Sequence, residues 1–129
     1  MKNTVKIILI ASIVTFTLAA CRKAGPGGKV KVAAFPKHHN KSIPGAMVYI
    51  KYGTKNFPGE DVSKYDDKGM AEVMPGEDPH VHFEDLRKGD YYLYSVGYDS
   101  SIARPVKGGV SFTISKKDGE MDVDVPVTE

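Results

Sequence analysis

The stretch Phe83-Glu-Asp-Leu86-Arg-Lys-Gly89-Asp-Tyr91-Tyr-Leu93-Tyr94 narrows the folds open to this chain more than any other. Apolar side chains at 83, 86, 91 and 93 bracket a charged turn closed by glycine, which reads as strand, tight corner, strand. Such side chains suit a pleated, half-buried surface, and Gly89 can take a backbone angle that a bulky residue reaches only at a cost. The same period of two recurs at both ends of the chain. In Lys29-Val30-Lys31-Val32 the valines point inward and the lysines outward; in Glu120-Met121-Asp-Val123-Asp-Val125-Pro-Val127 the methionine and three valines share one face. Residues 46–52 are apolar on both faces, with Val48, Ile50 and Tyr52 on one of them, as expected of a central strand.

Turn residues separate these runs every eight to twelve positions, and no amphipathic helical stretch follows residue 21. Loops are expected at 36–45, 53–61, 75–79 and 99–105. Asp66-Asp67-Lys68-Gly69 reads as a hairpin turn between short strands at 62–66 and 70–74, and Lys116-Lys-Asp-Gly119 as the last hairpin. Pro79 lacks a ladder donor, so the next strand is expected to start at His80. Gly108-Gly109 marks a bulge, and Pro126 an edge strand. The pattern is an all-β, single antiparallel β-sandwich of seven to eight strands over residues 29–129.

Residues 1–20 stand apart. Lys2 and Lys6 precede an apolar run from Ile7 to Leu18, too short to span a bilayer as a helix, so the segment reads as a signal peptide. Leu18-Ala19-Ala20-Cys21 resembles the bacterial lipobox, and Cys21 is the single cysteine of the chain, which points to lipidation there rather than to a disulfide. Residues 21–28, rich in glycine, read as a flexible tether between lipid and domain. Arg22 follows the cysteine where an aspartate would favour inner-membrane retention, so an outer-membrane address is expected, facing the periplasm or the exterior. Lys2 and Lys6 account for the excess of 18 basic over 16 acidic residues, leaving the mature chain near neutral and giving no support to nucleic-acid binding.

Pro44-Gly45-Ala46-x-Val48, Asp67-x-Gly69 and Phe83-x-x-Leu86-x-x-Gly89-x-Tyr91-x-Leu93 together resemble the carboxypeptidase regulatory-like, transthyretin-like family of sandwiches over nearly the whole mature domain. The resemblance implies a Greek-key sandwich used as an accessory or adhesive module more often than as an enzyme. Met70 to Pro79 is an insertion relative to it. The hydroxyisourate hydrolases of that group end in a Tyr-Arg-Gly-Ser tail, whereas this chain ends in Pro126-Val-Thr-Glu129. No Ser-His-Asp spacing or glycine-rich phosphate loop is visible either, so the expected class is non-enzymatic.

Several constellations are candidates for binding. His80 and His82, two apart on a strand, share a face and can hold a zinc or copper ion with Glu84 as a third ligand. Pro58-Gly-Glu-Asp61 recurs as Pro75-Gly-Glu-Asp78, and strict strand reversal would bring both loops to one end, where their carboxylates could meet calcium. Tyr92, Tyr94 and Tyr98 fall on one face and can stack a sugar or meet a protein. Strand reversal also places Lys37, Lys41, Lys116 and Lys117 at one mildly basic end, away from the tether and from His80, with His38 and His39 beside them. The expected function is a membrane-anchored, non-catalytic binding, adhesive or accessory module for a protein or glycan. The alternative is a periplasmic metal-binding lipoprotein using His80 and His82.

Overall fold

The computed structural model describes residues 24–129; the expected signal peptide over 1–20, the expected lipidation site Cys21 and residues 22–23 of the expected tether lie outside the described residues. Nine strands run β1 (Pro26–His38), β2 (Lys41–Ser42), β3 (Met47–Tyr52), β4 (Asp67–Met70), β5 (Glu72–Met74), β6 (Glu77–Leu86), β7 (Gly89–Asp99), β8 (Arg104–Ile114) and β9 (Asp118–Pro126). One sheet is ordered β2-β1-β6-β5 with β9 also on β1, and the other β4-β3-β7-β8. The described residues therefore form an all-β sandwich. Inward residues are those the alternation selects: Val30, Val32, Val48, Ile50, Phe83, Leu86, Tyr91, Leu93, Val123 and Val125 form one core. Each such side chain contributes about 1.5–3 kcal/mol by leaving water. A smaller cluster of Ile43, Ala46, Val106 and Val127 closes one end.

The Phe83–Tyr94 corner joins the sheets instead of pairing within one: β6 belongs to the first sheet and β7 to the second. Tyr91 locks it. Its side chain is fully buried, and its hydroxyl donates to the Arg87 carbonyl (2.7 Å) and accepts from the Gly25 N–H (2.8 Å). The Arg87 N–H donates in turn to the Gly25 carbonyl (2.9 Å), and Gly89, at φ 143°, lies against Ala24 where a side chain would collide. The first strand thus begins at Pro26 rather than Lys29, and residues 24–28 belong to the domain, because the corner supplies partners for their backbone.

Four local expectations are corrected. Residues 62–66 are not a strand: Val62–Lys64 forms a 3-10 turn capped by Asp61, and the Asp66 carboxylate accepts from the Tyr52 N–H (2.7 Å). Asp66–Gly69 is consequently no hairpin turn, since β4 pairs with β3, and the hairpin is β5–β6 around Pro75-Gly76, with Gly76 at φ 78°. Pro79 lies inside β6, where the β5 register shifts and no regular ladder donor is required. No bulge occurs at Gly108-Gly109, because β7 and β8 stay in register from Gly89↔Ile114 to Asp99↔Arg104. Those glycines make room instead: a Cβ on Gly108 would run into the Pro126 carbonyl, and one on Gly109 into the Leu93 carbonyl and the Tyr92 ring.

The last turn is not a hairpin either. β9 pairs in parallel with β1, from Lys29↔Asp118 to Lys37↔Pro126, so the sandwich is not wholly antiparallel. Pro126 does lie on an edge strand, as its missing donor implied. Losing the 62–66 strand inverts the direction of every later strand relative to strict alternation. Turns 85–90 and 115–117 therefore share the end where Ala24 enters, while 39–46, 75–76 and 99–103 share the far end.

Candidate functional site

The outer face of β6 carries the most organised polar cluster. Val81 and Phe83 point inward, so His80 and His82 point out together. The His80 ring is buried, packs on Phe35 with centroids 4.9 Å apart, and places Nδ1 2.7 Å from the Asp78 carbonyl. A carbonyl only accepts, so Nδ1 carries the proton and Nε2 faces outward. His82 Nε2 lies 2.8 Å from it, and Glu77 Oε2 at 3.7 Å. Burial, then Lys31 and His80, hold the His82 imidazole below its ordinary pKa, which keeps it neutral and able to donate a lone pair near neutral pH. These groups border a groove of about 500 Å³ with Glu120 and Asp122 on its far wall. Glu84, the expected third ligand, does not line that groove; Glu77 does, because β6 begins three residues earlier than Pro79 seemed to allow. Among the described residues no three metal-ligating side chains stand preassembled around one point.

A second pair had no signal in local spacing. His38 ends β1 and Asp99 ends β7, and their side chains meet in the interior with Nδ1···Oδ2 at 2.8 Å. Hydrogen bonds from Ser101, and then from His38, draw the Asp99 carboxyl down to a pKa of about 2. The pair pins the 99–103 turn to the first strand. His38 and His80 lie on the same sheet near the same end, against the expectation of opposite ends, but His38 points inward and His80 outward.

The tyrosine row is not an open face. The segment between β3 and β4 folds over it: Tyr65 stacks on Tyr94 (5.7 Å), Phe57 packs on Tyr92 and Tyr94 (5.7 and 5.5 Å), and Glu60 pairs with Lys107 (2.5 Å). Tyr94 is left 3% exposed and Tyr92 half-buried; burial raises the Tyr65 hydroxyl to a pKa of about 12. Beyond this strap the face is bare. Met70, Met47 and Val96 stand side by side on β4, β3 and β7, with Tyr98 the next outward residue along β7, and Met70, Val96 and Tyr98 are 53%, 38% and 56% exposed. Of the three tyrosines only Tyr98 is freely accessible.

The lysine set is divided. Lys37 and Lys41 lie at the far end, where Lys37 pairs with Asp124 (3.0 Å), whereas Lys116 and Lys117 lie at the end where the chain enters. The two Pro-Gly-Glu-Asp segments also separate: the first belongs to the strap on one sheet, the second opens β6 on the other, and Asp61 is spent capping its own turn. No shared calcium site forms from them. No family model matches the chain, and neither the curated proteins nor the solved structures give a match.

Proposed function

We propose that this chain is a lipid-anchored, non-catalytic binding module, related in design to the carboxypeptidase regulatory-like sandwiches, whose partner is a protein of the cell envelope. The observation that carries this reading is the bare apolar patch of Met70, Met47, Val96 and Tyr98. Contiguous exposed apolar surface of this kind marks interaction sites, and Met and Tyr are enriched at protein interfaces. The patch favours a protein over a glycan because Met70, Met47 and Val96, three of its four side chains, are thioether or aliphatic groups that offer a sugar neither a flat ring nor hydrogen bonds, and Tyr98 is its one ring. It lies on the half of its sheet remote from Ala24, so a module held at Cys21 would present it away from the membrane.

The test uses the full chain in its own cells, with a photo-crosslinking residue at Val96 or, as control, at Thr113, an exposed outward position near the chain entry. One discrete adduct from position 96 and none from 113 is expected, and Met70→Lys should abolish it. Equal labelling from both positions, or none from 96, refutes the patch. Separately, Cys21→Ser should accumulate unprocessed precursor; normal processing, with no lipid mass on the wild-type protein, refutes the anchor.

A further inference from the structure

We propose that the β6 groove binds one divalent transition-metal ion, copper(II) or zinc(II), through His80 Nε2 and His82 Nε2, with the Glu77 carboxylate swinging in and water completing the shell. Three features of the geometry point there. The two Nε2 atoms converge on one spot, whereas two outward histidines on a strand would ordinarily splay into water. Metal-ligating histidines commonly donate their other ring N–H to a carbonyl or carboxylate, which fixes the tautomer, and His80 does this through Asp78. The ring is also held from behind by Phe35 and buried among protein atoms, so little freedom remains to be lost on binding.

The separation of 2.8 Å is a hydrogen bond, with one imidazole donating to the other. Two nitrogens on a tetrahedral zinc stand about 3.3 Å apart, given Zn–N of about 2.0–2.1 Å. His80 holds its proton on Nδ1, so His82 Nε2–H donates the shared proton; moving that proton to His82 Nδ1, with a ring shift of about half an ångström, opens both Nε2 lone pairs to one metal ion. Glu77 is 62% exposed and 3.7 Å from His80 Nε2, free to turn its carboxylate onto the ion. Glu120 and Asp122 across the groove add negative field, offset in part by Lys31. Imidazole with a single carboxylate suits copper(II) and zinc(II) better than calcium or magnesium, which take oxygen shells. The site stands on the face opposite the apolar patch and is independent of the reading above.

Calorimetric titration of the mature protein with copper(II) and with zinc(II) should show one equivalent bound. His82→Ala should weaken binding at least tenfold, and Glu77→Gln several-fold. His39→Ala, in an exposed turn outside the groove, should change nothing. His82 is exposed, so its variant should keep the wild-type melting temperature; as a readout that needs no variant, copper(II) should broaden the ring resonances of His80 and His82 before those of His38 and His39. The proposal is overturned if binding is weaker than about 100 µM for both metals, if His82→Ala binds as tightly as wild type, or if broadening begins at His39.

Discussion

Replacing Tyr91 by Phe removes one oxygen from the domain and leaves its packing intact. The ring still stacks on Phe112 (5.2 Å, 15° between planes) and meets Tyr52 edge-on (5.8 Å). What disappears is the link from the corner to the start of β1, since the hydroxyl bonds both the Arg87 carbonyl and the Gly25 N–H. Each bond contributes about 0.5–1.5 kcal/mol net, and a buried partner left without a replacement costs about 1–3 kcal/mol. Gly25 is buried, so its N–H has little access to water, and a total loss of about 2–3 kcal/mol is expected. In urea, with a slope of about 1.5 kcal/mol per molar, the midpoint should fall by about 1–2 M with the slope unchanged. The Gly25 amide should also exchange faster than in wild type under native conditions. A loss below about 0.5 kcal/mol with Gly25 protection unchanged would show that the corner does not depend on this hydroxyl, and would return residues 24–28 to the status of a tether.

Gly108→Ala should destabilise the domain by about 1–3 kcal/mol, because its methyl group meets the Pro126 backbone where Lys107 and Thr128 bridge the two sheets; wild-type stability in urea would refute that close approach. Asp99 has a folded-state pKa drawn below the ordinary 3.8 to about 2, so its ionised form stabilises the fold above pH 4, and that contribution is lost as pH falls toward 2. Melting temperatures recorded from pH 5 to pH 2 should therefore fall less steeply for Asp99→Asn than for wild type, and parallel curves would refute the role of the His38–Asp99–Ser101 contacts.

Which side faces the core was legible from the residues alone for β1, for the Phe83–Leu93 corner and for β9. The pleat turns successive side chains to opposite faces whatever the strand pairs with, so the alternation at Val30 and Val32, at Phe83 to Leu93 and at Met121 to Val125 already named the core. The shared face of His80 and His82 followed from the same local rule, but the convergence of their two Nε2 atoms did not. Strand partners did not follow from it, because ladder hydrogen bonds are made by backbone groups that every residue but proline carries alike. The parallel seat of β9 on β1, the passage of the Phe83–Tyr94 corner between sheets and the 3-10 turn at Val62–Lys64 were settled only by where a closed two-sheet core leaves room for each segment. The absence of the expected 62–66 strand was enough to divide the four lysines between opposite ends and to bury Tyr94 beneath Phe57 and Tyr65. Tertiary structure alone brought His38 to Asp99, 61 residues away, since each ends a strand in a different sheet and only the packing of those sheets makes the two ends meet.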